Sequence, residues 1–576
     1  MAMAYNSSSR IRLLSFLFVF VTAIFIVRLF ALQVLYSNDY RDTADRQYSA
    51  QSGSVFDRGT IFFTQKSGDR IAAASVGASY FITINPSKLK DPEGVYRKLH
   101  VVLPILLHDQ FIEKAQRPND VYEVITKGLT DEEATAVRNL KIPSLFVYQE
   151  RFRAYPSDER AAHVLGLVAQ SKDSGDDVRG RYGLEKQYDP TLSRTQHNLY
   201  SNFFVDIFSN AANSFGTSTP DEGDLVTSIE PTVQSYLEKQ LVLVDDKWHP
   251  EVAGGIIMEP STGRIIAMAA TPTFNPNDPS SADSSAVFSN PMVENVYELG
   301  SIMKPLTVAA ALDEGVITAS TTYKDEGTRI IDGKRISNFD GKARGVIPIQ
   351  EVLNQSLNLG ATFAMEQLGI KKFTQKMEAF GFGEKTNIDL PSEGRGLIKN
   401  LESPREVEHA TASFGQGIAI TPIAMIRALA SLGNGGVLVN PHVVDAIVHK
   451  KTGLTTPIAY PAPTQVLKPA TSKEISRMLT VVVDTALAHG AMKIVDHSIA
   501  AKTGTAQISQ ESGGGYYTDR YLHSFFGYFP EQKPRFVVLL FQKHPIGAEY
   551  ASATLTDPFM NITKFLIHYY EIPPDR

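Results

Sequence analysis

An uncharged, mainly apolar run extends from Leu13 to Val27, and after Arg28 the apolar character resumes through Leu35. The uninterrupted core is about a turn short of the ~20 residues that span a bilayer. Arginine stems can snorkel, however, so 13–35 as a whole is long enough to cross with a tilt. A cleaved signal peptide is the alternative, but 29–37 offers no A-x-A cleavage site and the apolar segment overruns a signal core. Arg10 and Arg12 precede the run and orient it with the N-terminus in the cytoplasm and the rest of the chain outside. Downstream the period shortens. SYFITI (Ser79–Ile84) alternates as a strand, and Glu132–Leu140 has the pattern of a helix. From Leu225 the pattern predicts a strand, an amphipathic helix, and a strand pair over Gly254–Ala269 joined by a Pro-Ser-Thr-Gly turn. Further helices are predicted at Ile302–Asp313, Pro348–Leu353, Ala361–Leu368 and Ser472–Ala488. Strands follow at Ser498–Thr505, Ser524–Tyr528 and Phe536–Gln542. Strands, then helices, then strands predict a mixed α/β unit whose antiparallel sheet is packed by helices.

At 576 residues the chain is long enough for two or three folded units. Its 43% hydrophobic and 20% charged content is that of a globular protein. The net charge of −6 is spread without single-sign blocks, which argues against nucleic acid as a partner. There is no cysteine, so disulfides, thiol nucleophiles and thiolate metal sites are excluded. No phosphate-binding glycine loop, dinucleotide fingerprint or HExxH zinc motif is present.

Three short motifs in the second half change the picture: Ser301-Ile302-Met303-Lys304, Ser356-Leu357-Asn358 and Lys502-Thr503-Gly504. Ser301 follows Gly300 and opens an apolar helix, where unsatisfied N–H groups favour a developing oxyanion. A spacing of three puts Lys304 on the same helical face. A serine hydroxyl needs an adjacent base, and a lysine serves if burial and a nearby cation lower its pKa. Lys502 would supply that cation and could bind a substrate carboxylate. Ser356 is placed to relay a proton, and Asn358 to hold an amide carbonyl or the lysine. Gly504 permits close backbone approach on an edge strand. The N–H of Thr505 joins that of Ser301 in a candidate oxyanion hole. Singly, such motifs are common. Ser87-Lys88-Leu89-Lys90 and Lys451-Thr452-Gly453 match two of them, the first after Pro86 and the second in an exposed turn. Order and context raise the weight of the set. Ser301 and Ser356 are 55 residues apart, Ser356 and Lys502 are 146 apart, and each motif sits on a fitting element. S-x-x-K, S-x-N and K-T-G together are the signature of penicillin-binding proteins and related β-lactamases.

At these residues the chain resembles the class B penicillin-binding proteins, the monofunctional D,D-transpeptidases. YELGSIMKPLTVAAAL, GIIMEPSTGRIIAMAATPTFNPN, ASFGQGIAITPIAMIRAL and AAKTGTAQ resemble the family's catalytic domain. RLFALQV, SGSVFDRG, RAYPSDERAAHVLG and GRYGLEKQYD resemble its membrane exit and β-rich pedestal. Leu299 stands where proline is usual, Ala501 where glycine is, and Ser52 where arginine is. The resemblance implies a transpeptidase fold on an elongated pedestal: a cytoplasmic tail at 1–12, an anchor at 13–35, the pedestal at 36–222 and the catalytic domain at 223–576. It implies acyl transfer from D-Ala-D-Ala stem peptides through Ser301, inhibition by β-lactams, and no cofactor or metal. Lys304, Ser356, Asn358 and Lys502 complete the expected catalytic set, and Thr503, Gly504 and Thr505 the substrate-binding strand. It also implies the bacterial cytoplasmic membrane as location, a glycan polymerase of the SEDS type and other division proteins as partners, and septal synthesis as the role. Elongation-type synthesis, D,D-carboxypeptidase or β-lactamase activity, and a β-lactam sensor or inactive scaffold are the rival readings. Asp57, Arg58, Arg153 and Glu185 read as structural ion pairs or partner contacts, and His163, in AAHVLG, as a hydrogen-bonded core histidine.

Overall fold

The computed structural model describes residues 57–117, 120–170, 178–194, 222–510 and 514–576, with helical positions 16, 20–22, 25 and 28. The expected anchor lies outside the described residues apart from those positions. Among the described residues no helix is long and apolar enough to cross a membrane. The chain divides into two compact units, Met1–Asp57 with Val76–Phe152, and Arg58–Ser75 with Arg153–Arg576.

The larger unit is organised by five antiparallel strands: β1 (Val252–Met258), β2 (Ile265–Thr271), β3 (Ala500–Ser509), β4 (Tyr516–Phe529) and β5 (Phe536–Lys543), in the order β3-β4-β5-β1-β2. Helices cover both faces, so β5 reads as the unbroken apolar run FVVLLF rather than as an alternation. Its alternate side chains still separate. Val538 and Leu540 enter the core under α1 (Pro231–Trp248) and the C-terminal helix Thr556–Tyr569, with Leu237, Leu241, Phe559 and Ile562. Val537, Leu539 and Phe541 enter the other core, with residues of α2 (Lys304–Asp313), α3 (Asn358–Leu368), α4 (Pro422–Gly433) and α5 (Pro469–Val481). The two faces are therefore two separate hydrophobic layers on one sheet.

Predicted and observed elements agree in kind and differ at their ends. The strand expected at Ser524–Tyr528 runs from Tyr516, and the helix expected at Ala361 starts at Asn358. The helix expected at Ser472–Ala488 spans Pro469–Val481 and then widens into a π-turn over Val482–Ala486. Helix α4 was expected only through the resemblance of ASFGQGIAITPIAMIRAL to the family's later helical segments, and ten of its twelve residues are buried.

Within the same unit, Ile61–Thr64 pairs antiparallel with the strand beginning at Arg70 and parallel with Gly223–Thr227. Beside it lies a buried ionic cluster. Glu185 accepts from Arg58 Nε at 2.5 Å and from Arg153 Nε at 2.6 Å, and Arg58 also meets Asp189 at 2.8 Å. Arg153 Nη1 donates to the Gly59 carbonyl at 2.7 Å. The structural reading of Arg58, Arg153 and Glu185 therefore holds. His163 is likewise a core residue: it is buried, makes a 3.0 Å hydrogen bond with the Val287 carbonyl, and burial lowers its pKa to about 4.

The smaller unit pairs the later part of the strand Arg70–Ile84 with Glu123–Leu129. Its core gathers Ile82, Ile84, Leu99, Phe111, Ile125 and Val137 from these strands and from three helices. Thr130 and Glu133 form a capping box on the helix Asp131–Asn139.

Glu185→Ala leaves the buried Arg153 guanidinium without its carboxylate and Arg58 with Asp189 alone. We expect a loss of about 3–5 kcal/mol from the larger unit, measured by urea unfolding followed by tryptophan fluorescence at Trp248.

Candidate active site

The three motifs converge around the start of α2. Gly300–Met303 is a 3₁₀ turn leading into the α-helix at Lys304, so Ser301 sits in that turn and not in the first α-helical turn expected from the sequence. Its neighbours Ile302 and Met303 are buried while Ser301 is only half-buried. Gly300 has φ +65°, a left-handed conformation that suits glycine. The turn is pinned from two sides. Gly300 N–H donates to the Gly415 carbonyl at 3.3 Å, and Ser524 Oγ donates to the Leu299 carbonyl at 2.7 Å.

Strand β3 forms the facing wall and is the outermost strand of its sheet. A Cβ on Gly504 would lie 2.3 Å from Ser524 Oγ, 2.7 Å from the Leu299 carbonyl oxygen and 3.0 Å from Ile302 N. The strand is thus laid directly on the backbone of the Ser301 turn, and only glycine fits there. Thr503 and Thr505, on either side of it, are half-buried. Thr505 Oγ1 accepts a 3.1 Å hydrogen bond from Ala551 N–H.

Lys304 is fully buried. Its Nζ donates to the Ser356 carbonyl at 2.5 Å and to Ser356 Oγ at 3.1 Å. Ser356 adopts φ +57°, which turns its backbone in the link between Ile349–Asn354 and α3. Burial, followed by the charge of Lys502, holds the Lys304 ammonium well below the usual lysine range. Lys502, 3% exposed, donates to the Thr503 carbonyl at 3.0 Å, and burial lowers its pKa to about 7. Neither lysine has a carboxylate partner among the described residues. Asn358 Nδ2 donates to the Ser337 carbonyl at 2.8 Å, which ties α3 to the strand Lys334–Ser337. The two decoy motifs lie elsewhere: Lys451–Gly453 is an exposed turn, and Ser87 belongs to a short 3₁₀ turn at Pro86–Lys88.

A half-buried serine followed three residues on by a buried lysine without a carboxylate partner among the described residues is the arrangement expected for acyl transfer to a serine. The family model for the penicillin binding protein transpeptidase domain matches residues 253–563, more than half of the chain. This chain belongs to that family. A second model, the penicillin-binding protein dimerisation domain, matches residues 57–200. Among relatives, Stage V sporulation protein D of Bacillus subtilis is 29% identical over 96% of this chain and 85% of its own length. The peptidoglycan D,D-transpeptidase FtsI of Escherichia coli is 25% identical over 93% of this chain and 87% of its own. Penicillin Binding Protein 2X from Streptococcus thermophilus shares the fold, with TM-score 0.74 and 19% identity over 90% of this chain and 79% of its own. The protein is a class B penicillin-binding protein, a serine-type D,D-transpeptidase of peptidoglycan synthesis.

Three features of this penicillin-binding protein's site escaped the sequence reading. Ser524, in HSFFGYF, carries the hydroxyl that fixes the Leu299 carbonyl. A serine next to His523, just before the aromatic run FFGYF, was the available signal. Gly415, in SFGQG, has φ +84° and a Cβ there would lie 2.2 Å from the Gly300 oxygen. Glu298 accepts from Tyr516 at 2.9 Å, and burial raises its pKa.

Gly504→Ala forces β3 off the Ser301 turn. We expect a loss of about 1–3 kcal/mol in stability, read as a lower unfolding midpoint with unchanged far-UV circular dichroism.

Proposed function

We propose that Ser301 is the acylated nucleophile and that Lys304 in its neutral form takes the proton from it. The observation that carries this reading is Lys304 itself: fully buried, three residues from Ser301, hydrogen-bonded to Ser356 and without a carboxylate partner among the described residues. Ser301 Oγ attacks the carbonyl between the two terminal D-alanines of a stem peptide. The N–H groups of Ser301 and Thr505 receive the oxyanion. Ser356 relays the proton to the departing D-alanine amine, and an amine of a neighbouring stem then resolves the ester. Lys502, while protonated, binds the terminal carboxylate of the donor, with Thr503, Gly504 and Thr505 aligning the donor along β3. Asn358 acts on this site by fixing the start of α3. β-Lactams acylate the same serine.

The cellular reading follows the resemblance of the whole chain: a catalytic domain at 223–576 and a pedestal at 36–222, held outside the bacterial cytoplasmic membrane by a single anchor at 13–35. Phe16, Phe20 and Phe25, at described helical positions, are exposed, as lipid-facing side chains would be. Septal synthesis during division, alongside a SEDS-type polymerase and division proteins, is the role we assign.

Labelling the purified extracellular part with a fluorescent penicillin tests the chemistry. Wild type should take up one equivalent by intact mass, and Ser301→Ala should react at less than about one-thousandth of its rate. A labelled Ser301→Ala protein would remove the serine from its role.

The pH profile tests the two lysines. The second-order labelling constant reports the free protein. It should fall at low pH, where Lys304 keeps its proton, and fall again as pH rises above about 7, where Lys502 loses its charge. Lys502→Arg should move that alkaline fall upward; a flat profile between pH 6 and about 9 would contradict both assignments.

In cells, depletion should give filaments whose septa fail to close. Round cells of unimpaired division would assign the protein to elongation instead.

A further inference from the structure

The strand register sets Thr505 on β3, His523 on β4 and Gln542 on β5 directly across from one another, so their side chains leave the same face of the sheet. The next row on that face is apolar: Phe525 pairs with Leu540, and both enter the core under α1. His523 and Gln542 are fully buried beside it, a position where a polar group is unfavourable unless it is bonded. The two differ in that respect. Neither polar atom of the Gln542 amide has a partner among the described residues, whereas both ring nitrogens of His523 are engaged. Nε2 lies 3.0 Å from the Glu549 carbonyl and Nδ1 lies 2.9 Å from Thr554 Oγ1. A carbonyl can only accept, so Nε2 carries the proton. Burial lowers the pKa of the ring to about 4, which leaves Nδ1 as the acceptor of the Thr554 hydroxyl.

Both partners belong to one segment, and that segment reaches Thr505. The turn Ala551–Thr554 leads into the C-terminal helix, where Leu555 is buried and Phe559 stacks on Phe525 with ring centroids 4.3 Å apart. Packing therefore fixes its downstream end. Upstream, Ile546, Gly547, Glu549 and Tyr550 are exposed, so burial of their own side chains does not hold that stretch. The His523 ring grips the segment on either side of Ala551, at Glu549 and at Thr554. Ala551, fully buried between them, donates its N–H to Thr505 Oγ1 at 3.1 Å. That bond occupies a lone pair of the Thr505 hydroxyl and leaves its proton to be donated to an incoming acceptor. We propose that His523 is a positioning residue: it fixes the Glu549–Thr554 segment so that the Ala551 N–H orients the Thr505 hydroxyl toward the acyl donor on β3. The proposal rests on the reading of Thr505 as a residue that aligns the donor at the acyl-serine site. His523 acts through Ala551 and Thr505 and takes no part in the proton transfers.

The test is a set of labelling rates with a fluorescent penicillin on the full chain purified in detergent. His523→Ala should label about tenfold more slowly than wild type, the factor that one lost hydrogen bond gives, and still take up one equivalent at the end. His523→Gln places an amide N–H near the position of Nε2 and keeps the bond to Glu549, so it should return to within about threefold of wild type. Thr505→Val should also slow labelling, and His523→Ala added to it should change the rate less than about twofold, because both substitutions remove one and the same alignment. Gln542→Leu, which alters the same row without touching the Glu549–Thr554 segment, should label within about twofold of wild type. Should His523→Ala not fold, His523→Asn, which keeps only the Thr554 bond, takes its place in the double substitution. Losses that multiply in the double variant, a His523→Gln protein as slow as His523→Ala, a Thr505→Val protein at the wild-type rate, or a Gln542→Leu protein as slow as His523→Ala would each overturn the positioning role while wild type still labels. A wild-type protein that takes up no penicillin would overturn the acyl-serine reading, and this proposal with it.

Discussion

An ammonium group moved from water into a protein interior loses several kcal/mol of hydration unless a counter-charge or a pKa shift compensates it. This chain buries two, Lys304 and Lys502, with no carboxylate for either among the described residues. Much of the surrounding architecture follows from that constraint. An acid placed between the lysines would relieve the cost but would also hold both permanently protonated. The site uses carbonyls instead: Ser356 faces Lys304, and Thr503 faces Lys502. Carbonyl dipoles solvate a cation without fixing its proton, so the state of each lysine stays responsive to whatever enters. The helix α2 that carries Lys304 is buried on almost every side, and its packing maintains the desolvation.

Carbonyls can serve this way only if the backbone that bears them is rigid. Ser356 is held in a left-handed conformation between two helices. The Ser301 turn is clamped by Gly415 and Ser524 and pressed by Gly504. These contacts come from segments more than one hundred residues away in sequence, so long-range packing, and not local helix propensity, sets the geometry of the reactive turn.

The chemistry was more legible in the sequence than this geometry. The groups proposed to react are side-chain types at short spacings, and Ser301, Lys304, Ser356 and Lys502 could be picked out as candidates on that ground. The sheet was legible because β5 and the β1–β2 pair carry dense apolar runs bounded by turn residues. What was missed has a common cause. The partner of Asn358 lies on the short hairpin strand Lys334–Ser337, where the sequence KRIS has no strong strand signal. The 3₁₀ form of the Ser301 turn goes with Pro305, which has no N–H to bond back to the Ser301 carbonyl and leaves that bond to Lys304. In the first half of the chain, Arg58, Arg153 and Glu185 could be recognised as charged residues out of place, but their meeting depends on a fold that joins residues 58, 153 and 185.

That joining also has a consequence in time. Ile61 and Phe63 are fully buried in the finished protein, yet Ile61 pairs with Leu225, 164 residues further on. Its antiparallel partner at Arg70 follows at once, but at synthesis rates of 5–20 residues per second the parallel partner is made only roughly 10–30 s later. During that interval one edge of an apolar strand stands open on the growing chain. The discontinuous larger unit therefore leaves Ile61–Thr64, the first strand among the described residues, incompletely paired until the strand Gly223–Thr227 has been made.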